Sequence, residues 1–149
     1  CSSRESGRMR CLIVGSDDAG RFCVLEEREV SFGEIAPGLS VHGVYKTLES
    51  PPAVRLAGRG ELVDLGTGPG QCSWALWRFE AGGEVGMHHT DTVDFDVILE
   101  GTVDLILDDG THSLGSGDCV VMTGVDHGWR AGPEGCLVSG TALGCAPRE

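Results

Sequence analysis

Positive charge is scarce in this sequence of 149 residues, in which Lys46 is the only lysine. Lysine and arginine together number 11 against 23 aspartates and glutamates, and the formal net charge is −12. A chain this acidic repels the phosphate groups of nucleic acids and of anionic lipids. Neither nucleic acid nor membrane is therefore expected as a partner.

Long hydrophobic runs and paired cysteine motifs are also missing from the sequence. No apolar stretch approaches the roughly 20 residues that span a bilayer, and residues 1–8 lack the apolar core of a secretory signal. The seven cysteines are odd in number and none are spaced as C-x-x-C, which argues against a zinc knuckle or a redox motif. Several lie in apolar runs, where a thiol acts as a small hydrophobe, so we expect reduced thiols and a cytoplasmic protein.

Glycine is abundant, with 24 residues that separate short apolar runs, and this pattern favours an all-β fold. Cys11–Val14 and Arg21–Leu25 are joined by a polar turn and predict a hairpin. From Glu61 onward, turn formers such as Glu100-Gly101 recur about every ten residues, which is typical of a barrel or sandwich. The candidate strands there are Glu61–Leu65, Cys72–Phe79, Glu84–His89, Phe95–Leu99, Thr102–Leu107, His112–Leu114, Cys119–Met122, His127–Arg130 and Cys136–Ala142.

The length of the chain suits one domain with a hydrophobic core. We expect residues 1–10 to be a flexible tail and residues 11–149 to form a single domain, with a core barrel over about 60–145. Strands that precede the core barrel leave open sheet edges, and pairing across a two-fold axis would cover them. The sequence therefore predicts a homodimer.

Two segments carry the residues with chemical potential. Residues 86–101 contain His88, His89 and Asp94, and residues 117–129 contain His127. Alternate side chains of a strand share a face, so His88 points the same way as Thr90, and Asp94 the same way as Asp96. A hairpin between these strands would fold Asp94 back toward His88, and a closing barrel would bring His127 to them.

These two segments resemble the two sequence motifs of the cupin superfamily, over about residues 60–145. The resemblance implies a double-stranded β-helix, or jelly-roll barrel, with extra N-terminal strands. With a three-residue spacer, His88 and Thr90 take the two histidine positions of the first motif and Asp94 takes the glutamate position. A four-residue spacer would put Met87 and His89 there instead. A subgroup whose first motif reads Met-His-x-Thr-Asp-Thr-x-Asp favours the three-residue spacer.

The resemblance implies one of two kinds of catalytic site at His88, Asp94 and His127. Two imidazoles and a carboxylate form a facial set of ligands suited to one divalent iron, manganese, nickel or zinc ion, with positions left open for substrate. The same three residues could instead work without metal as acid and base groups, poised near neutral pH.

Four further residues are candidates for substrate binding. Thr90 would hydrogen-bond the substrate, and Trp129, which shares a face with His127, would stack on a planar ligand. Trp74 and Arg78 share a face of one strand, so Arg78 could anchor a carboxylate or phenolate beside the indole. An aromatic-lined pocket of this kind suits a small organic ligand.

The resemblance implies an enzyme of secondary metabolism that acts on an aromatic or polyketide-like small molecule. The reaction would be of the lyase, dehydratase, cyclase or decarboxylase type. One alternative is an Fe(II)-dependent cupin dioxygenase that uses the same three residues. Another is a cupin that binds a small molecule without catalysis, since this fold supports many functions.

Overall fold

The computed structural model describes residues 8–53 and 58–146, and within these ranges the regular structure is entirely β. No helix occurs there, and hence none that is long and apolar enough to cross a membrane. The prediction of an all-β fold is confirmed. The strands are β1 Arg10–Ser16, β2 Phe22–Glu29, β3 Gly33–Ala36, β4 Leu39–Val41, β5 Glu61–Leu62, β6 Cys72–Phe79, β7 Glu84–His89, β8 Thr92–Leu107, β9 Gly110–Gly115, β10 Cys119–Thr123 and β11 His127–Gly144.

Nine of these strands pair in one sheet, and β3 and β4 form a separate hairpin. The main path of the sheet runs β2-β1-β10-β8-β11-β7-β5, with β6 paired to β11 and β9 paired to β8. The predicted N-terminal hairpin is present, because β1 pairs antiparallel with β2. It extends the main sheet, since β1 also runs parallel to β10.

Strands β8 and β11 are longer than the sequence predicts, and they form the frame of the barrel. We expected each to be two strands separated by a turn, but both continue through the predicted turn. Gly101 and Gly135 adopt positive φ of 75° and 76°, a backbone conformation that glycine takes without strain. A Cβ at Gly101 would overlap the carbonyl oxygen of Gly135. These two glycines therefore bend the strands past each other at a corner and do not reverse the chain.

The main hydrophobic core includes the N-terminal strands. Leu12, Val14 and Phe22 from β1 and β2 are buried in one cluster with Leu105 of β8 and Met122 of β10. The structural core therefore begins well before residue 60.

Three sequence predictions are not decided by this structure. Residues 1–7 of the predicted tail lie outside the described residues, and Arg10 already begins β1. The division into a tail and a single domain stays a prediction, as do the homodimer and the cytoplasmic location.

Thiols in the core behave as the sequence suggests. Cys11 and Cys136 are free and buried, and burial raises the pKa of both thiols. A thiol with a raised pKa is a poor nucleophile. These two cysteines therefore act as small core residues.

Candidate active site

A small cavity inside the barrel brings the motif residues together. Its volume is about 190 Å³, and its walls come from the segment before β6 and from β6, β7, β8 and β11. His88, Asp94 and His127 all line it, as the sequence pattern predicts for their placement. The complete lining within the described residues is Leu65, Trp77, Phe79, Val85, His88, Thr90, Asp94, Asp96, His127 and Trp129.

The two imidazoles face each other because His88 on β7 and His127 on β11 are direct cross-strand partners. Their ring centroids are 4.3 Å apart. Each Nδ1 lies within hydrogen-bond distance of a backbone carbonyl, at 2.8 Å from Gly86 for His88 and 2.9 Å from Val125 for His127. A carbonyl oxygen can only accept, so each Nδ1 carries the hydrogen of that bond and each Nε2 is left outside it.

His127 is held in its neutral form. Its side chain is almost fully buried, and burial lowers the pKa to about 4, although the hydrogen bond to Val125 opposes this shift. At neutral pH the Nε2 atom of His127 is therefore an unprotonated acceptor. It can receive a proton or a hydrogen bond from a ligand, and it does not supply positive charge.

The two carboxyl groups of the cavity come from β8, where Asp94 and Asp96 are both 4% exposed. Burial raises the pKa of Asp94 to about 6, while the Thr92 hydrogen bond and the nearby His88 oppose this shift. Burial, and then the charge of Asp94, raise the pKa of Asp96 well above its usual value. Asp94 is thus ionised at neutral pH, and Asp96 gives up its proton after Asp94 does.

A chain of hydroxyl groups orients the Asp94 carboxylate. Thr92 Oγ1 donates to Asp94 Oδ1 at 2.6 Å, and Thr90 Oγ1 lies 2.7 Å from Thr92 Oγ1. Because Thr92 has only one hydroxyl hydrogen, Thr90 must donate to Thr92 when Asp94 is ionised. This leaves the second oxygen of Asp94 available as a base. Thr92 is not among the site residues predicted from the sequence, although it shares a strand face with Asp94.

The aromatic wall differs from the one that the sequence predicted. Trp77 and Phe79 of β6 line the cavity together with the predicted Trp129, which is 5% exposed. Trp74 and Arg78 lie on the opposite face of β6, where Trp74 is 77% exposed. The expectation that these two residues line the cavity is therefore wrong. An inward guanidinium of Arg78 would lose its hydration without gaining a partner. The strand instead turns Trp77 and Phe79 inward.

His89, the neighbour of His88 on the same strand, does not line the cavity. It is nevertheless buried, at 5% exposed. Its Nδ1 lies 3.3 Å from Asp126 Oδ1. The Asp126 carboxylate also accepts the backbone N–H groups of Arg59 and Gly60. His89 therefore helps to hold the segment before β5, and the three-residue spacer with His88 in the cavity is the register that the structure supports.

A larger hollow of about 470 Å³ adjoins the cavity, between residues 62–69 and the turn before β8. Leu65 belongs to the walls of both spaces. Of the polar groups discussed above, only Thr92 reaches the larger hollow. The chemistry is therefore concentrated in the smaller space.

The side chains around the cavity do not fit the metal site that the resemblance implies. Two imidazoles with Nδ1 held by carbonyls are suitable ligands. However, residues 8–53 and 58–146 contain no group of three or more histidine, cysteine, aspartate or glutamate side chains placed to bind one ion. Thr90, at the second histidine position, is a neutral hydroxyl bonded to Thr92. We therefore assign no catalytic step to a metal.

The raised pKa of Asp96 predicts how stability depends on pH. An acid with a raised folded-state pKa loses stabilising protonation as pH rises, so the free energy of unfolding falls through that range. The contribution of Asp94 to the free energy of unfolding falls until the pH passes its pKa of about 6. The pKa of His127 is lowered from 6.5 to about 4, so its contribution rises with pH between these values. Since the charge of Asp94 raises the pKa of Asp96, we expect the decline to continue above the pKa of Asp94, by at most about 1.4 kcal/mol per pH unit.

Urea unfolding of the wild type and of Asp96→Asn at pH 6, 7, 8 and 9 measures this decline. The amide does not ionise, so the variant should show a flatter dependence and be more stable than the wild type at pH 9. Glu100→Gln is the matched control, because Glu100 lies exposed on the same strand. Equal slopes in the wild type and Asp96→Asn would contradict the prediction.

Comparison with known proteins finds partial relatives. No protein-family model matches the chain. It is 36% identical over 84 residues to Phomopsin biosynthesis cluster protein C' of Diaporthe leptostromiformis, and equally to protein D of that cluster. Each match covers 56% of this chain and 38% of the relative, so the chain spans well under half of either protein.

Two solved structures illustrate the structural likeness. A cupin superfamily protein of Desulfitobacterium hafniense matches with a TM-score of 0.45 and 19% identity, over 49% of this chain and 67% of that one. The polyketide cyclase RemF of Streptomyces resistomycificus matches with a TM-score of 0.45 and 24% identity, over 48% of this chain and 53% of that one. The described strands form an all-β fold, and residues of both sequence motifs line one cavity in it.

Proposed function

We propose that this protein is an enzyme of secondary metabolism that transfers protons on a small aromatic or polyketide-like substrate within the barrel cavity. The reaction is of the lyase, dehydratase, cyclase or decarboxylase type. The observation that carries the proposal is a buried Asp94 carboxylate, with a pKa of about 6, in the same cavity as the neutral imidazole of His127. The relatives named for phomopsin biosynthesis support the assignment to secondary metabolism.

Asp94 is the base in this proposal. Its free oxygen removes a proton from the carbon next to a substrate carbonyl, and the electron pair of the C–H bond moves into an enolate. In a dehydration, the enolate electrons re-form the carbonyl and make a C=C bond while the bond to the β-oxygen breaks, and the new carboxylic acid gives its proton to that oxygen, which leaves as water. A base with a pKa near the working pH combines the ionised state with useful basicity. The aromatic walls exclude water and hold the substrate ring.

Hydrogen–deuterium exchange tests the first step without knowledge of the natural substrate. The purified protein is incubated in D₂O with acetophenone, phenylacetone or 4-(aminomethyl)acetophenone, and NMR follows loss of the protons next to the carbonyl. We expect the exchange rate to rise about tenfold per pH unit below pH 6 and then to level off, because Asp94 must be ionised. No exchange above the buffer rate with any of the three compounds, or a rate that falls between pH 5 and 7, would count against the proposal.

Chelation separates this function from the Fe(II)-dependent dioxygenase alternative. Since the described donor groups do not form a three-ligand site, exchange should continue unchanged after dialysis against EDTA. The reaction should also consume no oxygen when Fe(II) is added, as an oxygen electrode would show. Loss of exchange on chelation, with recovery on adding one equivalent of Fe(II), would favour the metal-dependent alternative.

A further inference from the structure

The carboxyl group of Asp96 lacks the partners that a buried acid normally has. Both of its oxygens are buried, and neither has a hydrogen-bond partner among the described residues. In folded proteins, almost every buried polar group is paired, and an exception calls for an explanation such as strain, a catalytic role, or an absent water or ion. Asp96 lines the cavity, so a group that enters the cavity could complete its hydrogen bonds.

Charge in the cavity is also unbalanced. Asp94 receives the Thr92 hydroxyl and has His88 nearby, whereas the charge that acts on Asp96 is that of Asp94. His127, the other titratable group of the wall, is neutral. The lining residues that the structure describes include no lysine or arginine, since Arg78 lies on the outer face of β6. The cavity therefore repels anions and offers an unmatched site for a cation.

The wall beside Asp96 is aromatic. Asp96 is the cross-strand partner of Gly140, and a Cβ built on Gly140 would lie 2.6 Å from Asp96 Oδ1 and 2.9 Å from Trp77 Cη2. The missing side chain lets the carboxyl group and the indole lie next to each other. Trp129 and Phe79 also line the cavity. Aromatic rings attract cations over their faces, most strongly when water is excluded.

We propose that Asp96 binds the protonated nitrogen of a small organic amine, with Trp77 beside it, so that the ligand of this cavity is a cation about the size of one substituted aromatic ring. The size follows from the volume of about 190 Å³, which is below the ~300 Å³ at the lower end of ordinary small-molecule sites. This inference rests on the proposed function only in taking the cavity as the substrate site. It adds the chemical class of the substrate and a role for Asp96.

Three isosteric probes test the charge preference on the wild-type protein. Benzylamine, benzyl alcohol and benzoate are titrated at pH 7.5, and binding is followed by calorimetry and by the fluorescence of Trp77 and Trp129. We expect benzylamine to bind about tenfold tighter than benzyl alcohol, and benzoate to bind most weakly. Benzoate binding as tightly as benzylamine, or no preference for the amine over the alcohol, would overturn the proposal.

Asp96→Asn tests whether this residue is the contact. The amide keeps the shape but cannot become a carboxylate opposite the ammonium group, so the affinity for benzylamine should fall about tenfold while that for benzyl alcohol changes less than about twofold. Glu100→Gln, which removes one charge from the exposed part of β8, should leave both affinities unchanged. An amine preference that survives in Asp96→Asn would exclude Asp96 as the contact.

These binding measurements do not depend on catalysis. The wild-type series decides the ligand class even where a variant fails to fold. Amine binding without deuterium exchange would leave this inference standing and remove the proposed function. Deuterium exchange without a preference for the amine would leave the proposed function standing and remove this inference.

Discussion

Replacing Asp94 with asparagine is expected to slow deuterium exchange by a factor of about 10² to 10⁴, the usual contribution of a positioned general base. The amide has nearly the same shape but cannot accept the proton, and it can still receive the Thr92 hydroxyl hydrogen. The rate is measured at pH 7.5 with whichever of the three aryl ketones exchanges fastest in the wild type.

The matched control for this variant is Asp104→Asn. Asp104 is on the same strand, but its carboxylate accepts from Ser113 and Arg130 outside the cavity. This control should exchange at the wild-type rate. An Asp94→Asn variant that is folded and retains more than about a tenth of the wild-type rate would show that another group is the base.

Replacing Phe22 with alanine should destabilise the protein by about 3–5 kcal/mol, the range found when a buried aromatic side chain leaves a cavity. Phe22 begins β2, is fully buried, and packs in the same cluster as the barrel residues Leu105 and Met122. Urea unfolding followed by tryptophan fluorescence measures the change in the free energy of unfolding.

Phe32→Ala makes the same substitution at a site that is 59% exposed. This control should cost well under about 1 kcal/mol, as surface substitutions do. The comparison tests whether the N-terminal hairpin is an integral part of the barrel core. If Phe22→Ala unfolded with the wild-type midpoint, the hairpin would be a separate attachment.

The placement of the candidate site could be predicted because the two motifs contain short-range information. Two-residue alternation along a strand fixes that His88 and Thr90 share a face and that Asp94 and Asp96 share another. The structure places all four side chains, with His127, around one cavity. The roles of these residues in catalysis remain proposals.

The aromatic wall and the extent of the strands could not be predicted in the same way. Alternation separates Trp74 and Arg78 from Trp77 and Phe79, but it does not say which pair faces inward. Likewise, Gly101 and Gly135 are compatible with either a turn or a bend in a continuing strand. In the structure, the two backbones approach each other closely at this corner, and both strands bend there and continue.

The β pattern and the sharing of strand faces within each motif were determined by the sequence alone, because they depend on residues a few positions apart. The tertiary structure decided which faces close around the cavity, and it left Asp96 next to Trp77 without a hydrogen-bond partner among residues 8–53 and 58–146. It also shifted the pKa values of Asp94 and His127 in opposite directions. These properties depend on desolvation by residues that are distant in the chain, and they exist only once the barrel has closed.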